Sequence, residues 1–259
     1  MKVGEYKKIA RDRLSGQWGI NAGILFLSVL LVGAVSQISS IVSNENAQSL
    51  ISNLLEIFVL FAFSYSLYYI ALYVLRGGHA ELGQLFVIFQ KKYYVPILLL
   101  NIISTVVQVL IGLLVFIPLL IQGGFALYFS LVVGRGASVS NGSKLLDLLG
   151  SGGFIFLLLA SIIIFFFVVA IVSGIFDFAA WLKFDFPELS ILDCIKKAWF
   201  LIKDRFGKFI LLQLSFIGWI ILGFLALVIG LLFVIPYVNV ANAAFYDQAL
   251  KEKMDELAL

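Results

Sequence analysis

Five stretches of this chain, residues 18–42, 54–75, 94–133, 154–184 and 209–235, are long apolar runs whose only basic residue is Lys183, at the edge of the fourth. A helix needs ~20 such residues to cross ~30 Å of hydrocarbon. Helices suit that setting because they satisfy their backbone groups without water. The composition agrees: of 259 residues 62% are hydrophobic and 13% charged, with a mean hydropathy of +1.09. A soluble domain carries roughly 45–50% apolar and about 25% charged residues. The sequence therefore predicts an all-α, polytopic membrane protein with six or more transmembrane helices in one multi-pass domain.

The same composition narrows the chemistry. One cysteine, Cys194, excludes an internal disulfide and any CxxC metal or redox motif, and one histidine, His79, excludes the usual His-rich metal sites. No HExxH, phosphate-loop or Ser/His/Asp pattern is present. The expectation is no enzyme, no cofactor and no metal. A net charge of +3 is too small to argue for nucleic acid. Where the charge sits matters more than its sum.

Two octapeptides nearly coincide: IGLLVFIP at residues 111–118 and IGLLFVIP at residues 229–236. Each is followed by a small-aromatic patch, Ala126-Leu127-Tyr128 and Ala244-Phe245-Tyr246. The chain has four prolines, and two of them close these matches, which points to internal duplication. The layout reads as four units, about 1–76, 77–135, 136–186 and 187–259. Each has an amphipathic interfacial helix, a long spanning helix, a break, and a second helix that is often shorter. The breaks are placed after Val42, at Pro118, at Ser173-Gly174 and at Pro236, because proline removes a backbone donor and crowds the preceding turn.

The amphipathic segments carry the cations. In the first, Val3, Tyr6, Ile9, Ala10 and Leu14 form a stripe among Lys7, Lys8, Arg11 and Arg13, which predicts a helix lying in the membrane interface. Residues 81–92 place Leu82, Leu85, Phe86 and Phe89 on one face and end in Lys91-Lys92. A weaker turn covers residues 144–149. After Ser190, a suitable N-cap, Ile191, Leu192, Ile195, Trp199 and Ile202 oppose Asp193, Lys196, Lys197 and Lys203. A signal peptide cleaved near Val32-Gly33-Ala34 is disfavoured, because the basic region is long and the apolar run continues past it.

All 18 Lys and Arg lie in or beside the connectors between units or near the ends of the chain. Hairpin units would collect them on one side, the cytoplasmic side by the positive-inside rule. This expectation requires residues 154–184 to turn back at Ser173-Gly174; as one helix they would carry the lysines after residue 195 to the opposite side.

Several motifs carry a resemblance. Gly16-Gln17-Trp18-Gly19, Pro187-Glu188-Leu189-Ser190, Ile195-Lys196-Lys197, the stretch from Leu212 to Trp219, Gly230-Leu231-Leu232, Pro236-Tyr237 and Ala244-Phe245-Tyr246 resemble a bacterial integral-membrane family. It is catalogued as domain of unknown function 975 and is common in Gram-positive bacteria. The four-unit layout is also similar, at fold level only, to the membrane domain of some glycerophosphodiester phosphodiesterases. The resemblance implies a multi-pass protein of the bacterial cytoplasmic membrane and supplies no catalytic residues. One departure stands at the third break, where this chain has Val172-Ser173-Gly174 and the family usually has Ile-Pro-Gly.

Charge in a bilayer is costly, so Asp177 is the first candidate for an intramembrane polar site, with Asn101 and Gln213 at similar positions of the second and fourth units. The bland alternative is interhelical hydrogen bonding. Candidate contacts to anionic lipid headgroups are Lys7, Lys8, Arg11, Lys91, Lys92, Lys196, Lys197 and Lys203. The expected role is membrane organisation or envelope scaffolding. The rival is a permease for a lipid-like substrate working at the repeat interface, with an intramembrane hydrolase as a weaker third.

Overall fold

A computed structural model describes residues 1–41, 43–128, 152–254 and 256. The loop and short turn expected at residues 134–149 lie outside them, as do Val42 and Phe129. Among the described residues there is no strand. The helices are α1 (Val3–Leu14), α2 (Trp18–Gln37), α3 (Glu45–Leu55), α4 (Phe61–Leu75), α5 (Lys91–Tyr128), α6 (Gly152–Asp185), α7 (Ile191–Ile202), α8 (Phe206–Leu225) and α9 (Leu231–Lys253). Five segments are long and apolar enough to cross a membrane: Trp18–Ile41, Glu45–Leu75, Lys91–Pro118, Ile155–Asp185 and Ile191–Leu225. The sixth crossing expected from sequence is not among them.

The first hairpin forms as its sequence suggests. Asn44 caps α3, its side chain accepting from the Asn46 and Ala47 amides at 3.0 and 3.1 Å. A π-helical turn, Glu56–Leu60, joins α3 to α4, and the Tyr94 hydroxyl donates to the Phe58 carbonyl within it at 2.8 Å. The wider π turn disturbs the regular ladder, and a neighbouring helix serves a carbonyl there.

Three expected breaks fall elsewhere. Pro118 lies inside α5, and Ser173-Gly174 inside α6. At 1.5 Å per residue these helices run for about 57 and 51 Å. A proline removes one donor and a glycine costs about 1 kcal/mol, whereas opening a helix in hydrocarbon exposes several polar backbone groups. Pro236 also sits within a helix, α9. The chain reverses ahead of it, at residues 226–230, where Leu227 and Val228 adopt φ of 55° and 68°. The matched octapeptides therefore occupy different structures, one in the body of α5, the other across a reversal.

Contacts divide the described chain into two compact units, Met1–Asn101 with Ile175–Leu259, and Ile102–Gly174. In the second, α5 and α6 meet through rings such as Phe116 and Phe165, 5.4 Å apart. In the first, α5 leaves from the end to which α6 returns, because Tyr93 packs edge-on to Phe184 at 5.8 Å. The turn expected at Ser173-Gly174 is therefore absent, and residues 154–184 run as one helix. α4 and α6 run in the same direction: Tyr68 meets Trp181, and farther along both helices Arg76 meets Asp185.

At the centre of the first unit is α9. Ala241, Ala243, Ala244 and Ala249 are buried on it, and these small residues let α1, α2, α4 and α8 pack closely. Around them Tyr6, Phe178, Trp181, Phe209, Phe245 and Tyr246 form a buried aromatic core. α1 departs from expectation here. Its stripe of Tyr6, Ala10 and Leu14 is buried against protein, with Tyr6 5.1 Å from the Phe245 ring, while Lys8, Arg11, Asp12 and Arg13 are exposed. An aromatic core offered that stripe better packing than a lipid surface does. Gln17 ties α1 to the connector after α4, donating to the Arg13 and Gly78 carbonyls and accepting from the Ala80 amide.

Two glycines set the α8–α9 reversal. A Cβ on Gly230 would lie 2.8 Å from the Gly223 Cα, and one on Gly223 would lie 2.7 Å from a Leu231 methyl. Gly230→Ala should destabilise the fold by about 1–3 kcal/mol through forced backbone shifts. Gly33→Ala, with nothing within 4 Å of the added carbon, should be neutral or stabilising by up to about 1 kcal/mol. Thermal unfolding midpoints in detergent check the pair; equal midpoints for both variants would contradict the close approach.

Candidate functional site

The ends of the helices in the first unit build a polar layer before any function is considered. Arg76 closes α4, Asp185 closes α6, and Asp247 projects from α9. Arg76 forks onto Asp185 at 2.6 and 2.8 Å and reaches Asp247 at 3.2 Å. The Tyr246 hydroxyl donates to Asp185 at 2.8 Å. A guanidinium at the carbonyl ends of two helices is favoured by their dipoles and by bidentate geometry. The Asp185 hydrogen bond accordingly holds the Arg76 pKa above its ordinary value.

Other cations in this layer serve structure too. Lys183, nearly buried, donates to the Pro187 and Leu189 carbonyls at 2.7 and 2.6 Å. It thereby satisfies acceptors beyond the end of α6. Lys253 pairs with Asp204, donates to the Phe200 carbonyl and lies over the Phe200 ring, and Arg205 pairs with Glu252. A cavity of about 720 Å³ opens beside this network, lined among others by Asp12, Arg13, Arg76, Asp247, Gln248 and Lys251.

Asp177, Asn101 and Gln213 have different surroundings. Asp177 on α6 lies beside the Tyr68 side chain of α4, and Trp181 donates to the Tyr68 carbonyl at 3.0 Å. This pair sits eight residues, about 12 Å, in from Arg76 and Asp185. Gln213 on α8 donates to Asn242 of α9 at 2.9 Å. Asn101 on α5 is partly buried and also engaged. Asp177 and Gln213 each bind a different neighbouring helix, and the charge-lined cavity contains none of the three residues.

The expected headgroup lysines split by burial. Lys8, Arg11, Lys91, Lys92, Lys196 and Lys203 are exposed, and Lys197 is partly buried and engaged. Lys7 points inward, donating to the Ser215 carbonyl at 2.8 Å and its hydroxyl at 3.1 Å, and lies 4.5 Å from the Phe216 ring centre.

Two connector helices present their apolar residues outward, in an arrangement the sequence pattern misassigns. α7 is capped by the Ser190 hydroxyl, which accepts from the Asp193 amide at 3.1 Å. It buries Cys194, Ala198, Leu201 and Ile202 and leaves Leu192 63% and Trp199 50% exposed. With Lys196 and Lys203, these make one strip at spacings of four, three and four. Residues Leu82–Phe89 form a 3-10 helix, whose period of three puts Leu85 and Ile88 inside and Phe86 and Phe89 outside, with Leu82 exposed at its first position. Lys91 and Lys92 follow directly.

Sequence reasoning missed Arg76, Asp185, Asp247 and Tyr68, because their partners lie 60 to 170 residues away and no local spacing announces them. The only available signal was an acid or arginine closing an apolar run. Arg76→Ala should destabilise the fold by about 1–2 kcal/mol, between the exposed and buried limits for ion pairs. Arg76→Lys should recover part of that, since an ammonium lacks the fork. Unfolding midpoints of the two variants decide the matter, and an unchanged midpoint for the alanine variant would count against the hub.

A family model described as a protein of unknown function (DUF975) matches residues 1–253. No curated protein and no solved structure matches the chain.

Proposed function

The chain belongs to the DUF975 family of proteins of unknown function, and from that premise we propose that it is a non-catalytic membrane organiser that holds anionic lipid headgroups at one face of the bilayer. The observation that carries the proposal is the outward strip of α7, in which Leu192 and Trp199 alternate with Lys196 and Lys203. Aromatic and aliphatic side chains placed this way enter the headgroup boundary, and lysines between them reach the phosphates. Leu82, Phe86 and Phe89 with Lys91 and Lys92 form a second strip of the same chemistry.

Both strips belong to the end where α4 and α6 finish and α5 begins. By the positive-inside rule that end faces the cytoplasm of a bacterial cell membrane, with the described N-terminal helix on the same side. The rival is a permease for an amphiphilic substrate, and Asp177 inside a candidate span favours it. The filled aromatic surroundings of Tyr68 and Trp181 favour a packing role for that carboxylate.

Three measurements separate these readings. Lys196→Gln with Lys203→Gln should weaken enrichment of anionic lipid around the protein by about 25-fold, at about 1 kcal/mol for each lysine. Fluorescent phosphatidylglycerol in proteoliposomes reports it, and unchanged enrichment would sink the organiser reading. Asp177→Asn should leave function intact; abolished flux of an amphiphile would favour the permease. Cys194 is buried and cannot report topology, so a cysteine placed at exposed Lys8 or Lys196 takes its part. Labelling is expected only from the cytoplasmic side, and labelling from outside intact cells would reverse the orientation.

A further inference from the structure

A second basic feature lies apart from the connector strips. The start of α1 faces the start of α8 across an open groove of about 670 Å³ lined by Met1, Lys2, Val3, Glu5, Lys208 and Leu211. Lys2 and Lys208 are exposed at its mouth. Glu5, the one acid there, accepts from the Lys2 amide at 3.0 Å and so caps α1. On α8, Lys208, Leu211 and Ser215 are three and seven residues apart and share a face. Beyond Lys208 the outward surface of that helix is apolar, with Leu211, Leu214, Ile217 and Ile221 all exposed.

Lys7 makes the region more positive. Its ammonium is partly buried about 10 Å farther along α8 than Lys208, and its partners are neutral: the Ser215 carbonyl and hydroxyl and the Phe216 ring. Burial lowers its pKa, and nearby Arg11 pushes the same way. Among the described residues it has no ion pair.

Cations at the mouth of a groove and exposed hydrocarbon along one wall match an anionic amphiphile. We infer that the groove seats one anionic glycerophospholipid, its phosphate between Lys2 and Lys208 and an acyl chain along Leu211 and Leu214. The inference rests on the membrane reading above and adds to it a discrete site with one occupant. Charge complementarity selects the lipid over a neutral one, and the apolar wall selects it over a free phosphate.

Native mass spectrometry of the full chain, released from nanodiscs of phosphatidylcholine doped with phosphatidylglycerol, tests it. The wild type should retain one phosphatidylglycerol and no phosphatidylcholine at this site. Lys2→Gln with Lys208→Gln should weaken retention by about fivefold for each lysine, about 25-fold together. Lys2→Arg with Lys208→Arg should keep the lipid, which separates lost charge from lost folding. Lys196→Gln with Lys203→Gln should leave the retained lipid in place. Retention unchanged in the Lys2/Lys208 glutamine variant, or equal retention of phosphatidylcholine, overturns the site while leaving the connector strips standing. Displacement by excess soluble glycerol phosphate would assign the groove to a free phosphate and overturn the lipid occupant. Loss of bulk anionic-lipid enrichment only in the Lys196/Lys203 variant supports the strips and is independent of this groove.

Discussion

Every backbone amide and carbonyl that enters hydrocarbon must find its partner within the protein, because no water is there to serve it. That requirement governs this structure more than any side chain does. It carries α5 through Pro118 and α6 through Gly174, positions at which a soluble helix has reason to end. The chain reverses between α8 and α9 under different conditions. There two glycines bring the backbones together, and Leu227 and Val228 take up left-handed conformations that side chains of their kind seldom adopt.

With α5 and α6 uninterrupted, the described lysines and arginines gather near helix ends and connectors, and their distribution has two parts. Arg76, Lys183, Arg205 and Lys253 are held by carbonyls and carboxylates of neighbouring elements. They tie α4 to α6 and α9, α6 to the loop before α7, and α9 to α7 and its following turn. Lys8, Lys91, Lys92, Lys196 and Lys203 stay exposed. The same residue type therefore serves cohesion in one place and is left at the surface in the other. Burial and the reach of a neighbouring acceptor decide which.

A helix can be largely enclosed by protein without being strongly apolar. α9 carries Asn239, Asn242, Asp247 and Gln248, yet it lies amid α1, α2, α4 and α8. A helix wrapped in protein needs small residues and matched polar partners more than hydropathy. Its alanines and the pairs Gln213–Asn242 and Arg76–Asp247 supply them.

Much of the fold was legible in the sequence for simple reasons. Run length and the exclusion of Lys and Arg from the runs determined an all-helical membrane protein, because the hydrocarbon thickness and the cost of burying charge do not depend on the rest of the fold. The cap at Ser190 was also a local matter, written in a few adjacent residues. Where each amphipathic face points was not. Tyr6 and Leu14 chose Phe245 and its neighbours over lipid, and Phe86 and Phe89 separated from Leu85 because a 3-10 turn replaced an α-turn. The pairing of Asp177 with Tyr68, of Arg76 with two aspartates and of Lys7 with Ser215 was decided by tertiary structure alone. Such pairs exist only once helices distant in the chain stand side by side, and nothing in local spacing encodes which neighbours those will be.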